Sequence, residues 1–545
     1  MMTTSKILMR FGLFGFIVCM LSCKCGTNNS RTPEDIARVI RLAGDNGKEL
    51  ELVLGHYSSV GDSLKLRAAY FLIRNMEEQF HFEGPGVDQF DLIAKKIDSL
   101  ATIKQGYFKK VIDSSTAVDP VFDTLSPLRT YQRKVLDSLQ KATGYKFDNV
   151  HRVKDITTIH SEILIDDIDY AFKAWQLPWC RKRSFDQFCE FILPYKIFNE
   201  QPTLWRKEVF TQFSDLIIKM RNEPDLKKAC LLLNRDLKKR FYLEGSHFKY
   251  GLDLSFKELD LLKMGKCSDA NHYAAYVMRG MGVPVANDFT PNWANKNKGH
   301  DWLVLLNGLR NQSFVGCESD PGLDKIYFAG HRYMERRCSK IFRHLYAPVP
   351  SNPIFDSDED ETPAFVSERD HQDVTDQYIP VSTINIPVLN PKSTVAYLCV
   401  FNNNKWNALA ASKVANGTAR FSGVGRDIAY NVMEYQDETL QPISEVFILN
   451  KNGAVHFLNV KPGKHQTVIL FRKYPEDDSN KIKIKGSYKL FYYNKGWISL
   501  GRQEATTDSL IFTNVPSDVL LVLRNLKEGS QERIFTIENN KQKWW

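Results

Sequence analysis

The 545-residue chain lacks an apolar run long enough to cross a bilayer: the best candidate, Phe11 to Leu21, is about half of the roughly 20 residues that a spanning helix needs. It also lacks CxxC pairs among its ten cysteines, so no metal site is expected from their spacing, and nothing calls for a cofactor. A block of basic charge is missing too. Lys and Arg (73) are interleaved with Asp and Glu (64), and the formal charge of +9 becomes +7 once Lys6 and Arg10 are set aside. Nucleic acid is therefore not an expected partner.

What the chain does have at its start is Lys6, Arg10, the short apolar run and then Ser22-Cys23. A charged segment, an apolar stretch and a small residue before a cysteine mark residues 1–22 as an export signal. Met20-Leu21-Ser22-Cys23 resembles a bacterial lipobox, with Met where Leu is usual. That resemblance implies lipidation of Cys23, membrane contact through the lipid, and a place in the cell envelope at the outer membrane or cell surface. Cleavage without lipid is the alternative. Cys25, Cys180, Cys189, Cys230, Cys267, Cys317, Cys338 and Cys399 then remain as free thiols or bridges, with no connectivity legible.

Length alone predicts three or four domains. Residues 23–150 are a tether and a helical region. Thr32-Pro33-Glu34-Asp35 opens its first helix with Thr as the cap and Pro in the first turn, and a second helix starts near Ser63. A core is expected over 151–345, beginning with aromatic helical text in which Tyr195 and Glu200 are candidates for the side of a cleft. Residues 346–380 contain the acidic, proline-bounded run Ser351 to Pro363 and are expected to be a solvated linker. Short alternating runs with Asn and Gly turns then predict two β-sandwich-like modules, 381–472 and 473–545. Tyr397, Trp406, Phe421, Val424 and Asp427 recur without a gap, 91 positions later, as Tyr488, Trp497, Phe512, Val515 and Asp518.

The chemistry is carried by Gly265-Lys-Cys267 and the helical segment that it opens. Ala270, Ala274, Val277, Met278 and Met281 have helical spacing, so a helix begins at Cys267 and ends near Gly280 to Gly282. A thiol at a helix N-terminus is expected to ionise readily, because unpaired N–H groups and the positive dipole end favour thiolate. Gly265 is expected to let the preceding loop approach a substrate. His272, five residues on, points away from Cys267 and is a packing or surface residue. His300 directly precedes the apolar strand text Trp302 to Leu306 and is the expected base; Trp293, in the loop before it, is a candidate cleft wall. The acid that orients the imidazole is expected on the next strand, as Glu318 or, on the same strand face, Asp320.

Gly265-Lys-Cys267, Arg279-Gly-Met-Gly282-Val283-Pro284 and His300-Asp-Trp302 resemble, in order, the core of the transglutaminase-like superfamily. The departure is at the last element, where no Trp-x-x-x-Asp precedes Glu318. Ala43 to Leu50, Leu66 to Met76, Arg533 to Thr536 and Trp544-Trp545 further resemble lipoproteins of Gram-negative gut anaerobes that carry this domain. The resemblance implies a papain-like α+β core within a multidomain α+β chain, with a Cys267, His300 and Glu318 triad that attacks amides. Hydrolysis of a peptide or protein amide is the expected reaction. The alternatives are a protein cross-linking transglutaminase, and a non-catalytic surface protein whose C-terminal modules contact glycan or peptide.

Overall fold

The computed structural model describes residues 32–545 apart from 60, 91, 97–98, 100–133, 136, 139–140, 143–148, 244–251, 309–311, 323–335, 351–361, 476–477 and 528–531. The export segment, Cys23, Cys25 and most of the acidic run lie outside the described residues. Among the described residues, no helix is long and apolar enough to cross a membrane. The chain runs from an N-terminal helical region through a mixed α+β core to two β-sheet-rich regions.

Helices α1 (Glu34–Leu42), α2 (Gly47–Ser59) and α3 (Ser63–Asn75) open the structure. Pro33, extended at ψ 142°, is the N-cap of α1, so the helix starts one residue later than expected and Thr32 does not cap it. Glu34 and Asp35 still lie in the first turn, where they complement the dipole. Before residue 150 the chain is not purely helical. Strand β1 (Phe80–Glu83) pairs antiparallel with β2 (His151–Lys154). Ile36, Val53 and Leu72 share one continuous hydrophobic cluster with Ile168, Ala274 and Leu303, so the helical region and the core are one body rather than domains divided at 150.

The core continues with α4 (Ser161–Trp175), α5 (Phe185–Phe191), α6 (Arg206–Gln212), α7 (Asp215–Lys219), α8 (Leu226–Arg240), the two-residue strand β3 (Tyr242–Leu243), α9 (Phe256–Leu262), β4 (Met264–Gly265) and α10 (Cys267–Gly280). From Asp269 to Gly280 every residue of α10 is buried, which is the signature of a central helix. Helices α4, α6, α8 and α9 pack around it, and β5 (Val285–Thr290) and β6 (His300–Leu305) cover its remaining side. The sheet is antiparallel in the order β7-β6-β5-β8-β9, with β7 at Gln312–Phe314, β8 at Phe342–His344 and β9 at His371–Asp373.

Strand β9 corrects the expected linker. It is an edge strand of the core sheet, and Tyr378 hydroxyl donates to Asp288 (2.5 Å) while accepting from Trp302 Nε1 (3.1 Å). Residues 371–378 belong to the core. The seven described cysteines are all free thiols.

The first β-rich region orders its strands as β10-β13-β12-β11-β14-β16-β17, with β15 (Thr439–Pro442) attached to β14. These are Val381–Pro387 (β10), Val395–Asn402 (β11), Lys405–Ala415 (β12), Thr418–Gly425 (β13), Ile428–Gln436 (β14), Phe447–Leu449 (β16) and Val455–Phe457 (β17). The second region has two sheets, β18-β21 and β20-β19-β22-β23-β24, from His465–Leu470 (β18), Ser487–Tyr493 (β19), Trp497–Glu504 (β20), Leu510–Pro516 (β21), Leu521–Asn525 (β22), Ile534–Glu538 (β23) and Lys541–Trp544 (β24). The pairing repeats along with the sequence: β11 lies between β12 and β14 as β19 lies between β20 and β22, and β10 pairs β13 as β18 pairs β21. Asp427 and Asp518 hold the same left-handed backbone, at φ 62° and 60°. Tyr397, Phe421 and Val424 are buried, as are Tyr488, Phe512 and Val515. The two regions meet through Phe401, Trp406, Tyr493 and Trp497.

Candidate active site

Cys267 is the first residue of α10, partly exposed at the helix mouth. Asp269 reaches back to accept from the Lys266 backbone N–H at 2.6 Å, satisfying a donor that the helix start leaves unpaired. Gly265 makes that contact possible. A Cβ there would lie 2.5 Å from Asp269 Oδ2, so the space expected for a substrate is filled by the capping carboxylate.

Two buried asparagines position the mouth of the helix. Asn271 Nδ2 donates to the Asp301 backbone oxygen (3.0 Å) and to Asp301 Oδ2 (2.9 Å), and its Oδ1 accepts from Gly316 N–H (2.9 Å). Asn234 of α8 accepts from Cys317 N–H (2.9 Å) and donates to Ser319 oxygen (2.7 Å). Together they pin the turn after β7 against α10. Gly316 allows the approach, since a Cβ would lie 2.4 Å from Ala274 Cβ.

That turn corrects the expected placement of the acids. Strand β7 ends at Phe314, and Cys317 has φ 62°, so Glu318 and Asp320 do not share a strand face. Asp320 is ion-paired with Lys238 of α8 at 2.8 Å. Glu318 is exposed on the turn, and its charge acts on the Cys267 thiol.

His300 opens β6, opposite Thr290 in the register. Strand alternation turns Asp301, Leu303 and Leu305 toward α10, and His300, Trp302 and Val304 toward the other face. The imidazole lies 6.0 Å from both the Trp293 and Trp302 rings, nearly parallel to Trp293. Among the described residues, no hydrogen bond joins it to the Cys267 thiol. Tyr195 is fully buried, its hydroxyl donating to Asp155 at 2.7 Å, which makes it an internal residue rather than a cleft wall. Glu200 accepts from Ile197 and Phe198 N–H and from Tyr276 hydroxyl. His272 is buried against Phe198.

The electrostatics reverse one expectation. Burial, with Asp301 and Glu318 adding to it, pushes the Cys267 thiol up to about 11. Burial also lowers His300, against the pull of Asp301. The dipole end of a helix supplies roughly half an elementary charge, and two nearby carboxylates with desolvation outweigh it. Both shifts favour the uncharged forms, thiol and imidazole. Iodoacetamide should therefore label Cys267 slowly near neutral pH, with a rate that rises toward pH 11, and Glu318→Gln should move the rise to lower pH. A plateau already reached below pH 7 would show an ion pair instead.

The loop before His300 is held by the β-rich regions, a role that sequence reading missed. Asn402 at the end of β11 donates to Trp293, Lys296 and Lys298 oxygens at 2.8–3.1 Å and accepts from Lys298 N–H at 2.9 Å. Arg533, fully buried, donates to the oxygens of Ala294, Phe401 and Trp545. Among the described residues, Glu368, Asp370 and His371 are the group whose ligand atoms, within 4.8 Å of one another, could hold a metal ion, although Asp370 already bonds His371 Nδ1 at 2.7 Å.

No family model and no curated protein matches the chain. Solved structures that match include red sea bream transglutaminase, 12% identical, with the similarity covering 61% of this chain and 72% of that one at a TM-score of 0.20. So distant a likeness carries no argument about chemistry.

Proposed function

We propose that this chain is a cell-envelope thiol enzyme that cleaves peptide or related amide bonds through a thioester on Cys267. The observation that carries the reading is the seating of Cys267 at the first residue of a buried helix packed on the strand that His300 opens. In this reading His300, whose ring rests beside Trp293 and Trp302, turns toward the thiol to take its proton as Sγ attacks the amide carbon, then gives it to the leaving nitrogen as the C–N bond breaks. Water hydrolyses the thioester and restores the thiol. In unliganded sites the contact between nucleophile and base is often not yet made, and this path needs the thiol and imidazole to meet only when substrate is bound. N–H groups of the first helical turn are available to the oxyanion. Asp301 is the acid whose charge His300 feels most, Glu318 lies within electrostatic reach of the thiol, and Trp293 walls the base.

The test is turnover of blocked peptide amides with and without a primary amine. Product release indifferent to the amine supports hydrolysis. Amine incorporation that outpaces hydrolysis makes the chain a cross-linking enzyme, and peptide binding without turnover leaves a surface binding protein. Anchoring through Cys23 belongs to the same proposal. A fatty-acid analogue should label the wild type and not Cys23→Ser, and equal labelling of both removes the anchor.

A further inference from the structure

Strands β8 and β9 bring two histidines side by side. His344 and His371 are partners in the antiparallel register, so their side chains leave the same face of the sheet. Asp370, the residue before β9, lies between the imidazoles, with Oδ1 2.7 Å from His371 Nδ1 and Oδ2 3.7 Å from His344 Nδ1. Glu368 completes the group, since a ligand atom of Glu368, Asp370 and His371 each lies within 4.8 Å of the others. Packing fixes both rings. His371 is stacked on Phe365 at 4.8 Å, and His344 on Phe289 at 4.2 Å with Phe198 in an edge contact. Among the described residues, His344 makes no hydrogen bond, and neither Glu368 nor Asp370 is ion-paired with Lys or Arg. Arg369, between the two acids in sequence, turns away to the Val349 oxygen and Glu78.

Two imidazole nitrogens with two carboxylate oxygens suit zinc and its first-row neighbours, whereas calcium and magnesium take oxygen ligands. We propose that His344, His371, Asp370 and Glu368 bind one zinc ion, through Nδ1 of each histidine and one oxygen of each acid. Tetrahedral ligand atoms about 2.0–2.2 Å from zinc lie about 3.3–3.6 Å apart, so the group closes by about an ångström on binding. His371 gives up its hydrogen bond to Asp370 and carries its proton on Nε2, which leaves the Nδ1 lone pair for the metal. The two carboxylates balance the charge of the ion. His344, Glu368 and Asp370 also wall a cavity of about 430 Å³, through which the ion reaches them from solvent. That cavity extends to Arg279, twelve residues along α10 from Cys267, and neither Cys267 nor His300 lines it, so the site is separate from the thiol. The bound ion ties residues 368–371 to β8 and holds the edge of the core sheet. Because its ligands are histidines and acids, the spacing of the cysteines carries no sign of it.

The test is titration with zinc chloride of the chelator-treated full chain, without a histidine tag, against a chromophoric zinc indicator. The chain carries Cys267→Ala, which removes the partly exposed thiol. One zinc per chain should be bound at about 10 μM free metal, and millimolar calcium or magnesium should not displace it. X-ray absorption at the zinc edge should show nitrogen and oxygen alone at about 2.0–2.2 Å. His344→Phe keeps the aromatic packing and removes one ligand, and should weaken zinc at least about tenfold. Should that variant not fold, Glu368→Gln, at an exposed position, carries the same expectation. Less than one zinc bound at that concentration, displacement by calcium or magnesium, sulfur in the coordination shell, or unchanged affinity in a folded variant overturns the proposal.

Discussion

Cys267→Ala is expected to leave a folded chain with no measurable amide cleavage, a loss on the order of 10⁴-fold or more, as when a covalent nucleophile is removed elsewhere. The side chain is partly exposed at the helix mouth, and the capping of α10 runs through Asp269, so the substitution leaves the packing of the helix intact. Its thermal midpoint should match that of the wild type within a degree or two. Asn271→Ala should behave differently. It frees Asp301 and the Gly316 turn together, and should lower kcat while the thiol stays available to alkylation. Residual cleavage by a folded Cys267→Ala chain would move the nucleophile elsewhere and remove the thioester from the mechanism.

The second large effect is on stability. Arg533→Leu removes a buried guanidinium that three backbone oxygens share, those of Ala294, Phe401 and Trp545, so that a region of the core, β11 and the last strand's end all lose a donor. Each buried group left without its partner costs roughly 1–3 kcal/mol, so the chain should lose at least about 3 kcal/mol. Urea unfolding followed by tryptophan fluorescence measures it. Arg533→Lys should recover only part, because an ammonium cannot span the same three acceptors in a plane. A loss below about 1 kcal/mol for Arg533→Leu would mean that the aromatic contacts of Phe401, Trp406, Tyr493 and Trp497 hold the regions together without it.

Periodicity made α10 legible, because Ala270, Ala274, Val277 and Met278 repeat at the helical interval and Cys267 falls where the pattern starts. The offset of 91 was legible for the same kind of reason, since equivalent inward positions of two sheets take equivalent residues. The acids were not. Distinguishing a strand that continues through Glu318 from one that ends at Phe314 depends on Asn234 and Asn271, which bind the turn from two helices far away in sequence. An asparagine inside an apolar helical pattern is an unfavourable helix residue and was the available signal. Ionisation of the thiol was misread because the helix end is local and visible in sequence, while burial and the closeness of Asp301 and Glu318 are tertiary. The boundary at 150 failed likewise, as no sequence pattern announces that β1 will pair with β2.

The seam between the loop at 293–298 and the β-rich regions has a consequence for how such a chain can change over generations. Asn402 and Arg533 grip that loop through peptide oxygens, which every residue type offers alike. Trp293, Ala294, Asn295 and Asn297 are buried, so Lys296 and Lys298 are the loop positions whose side chains can be exchanged without moving the strand that His300 begins. Natural variation should accumulate there, beside His300, while Asn402 and Arg533 stay constant behind the loop. New preferences for substrate can arise on a loop whose path is fixed from behind.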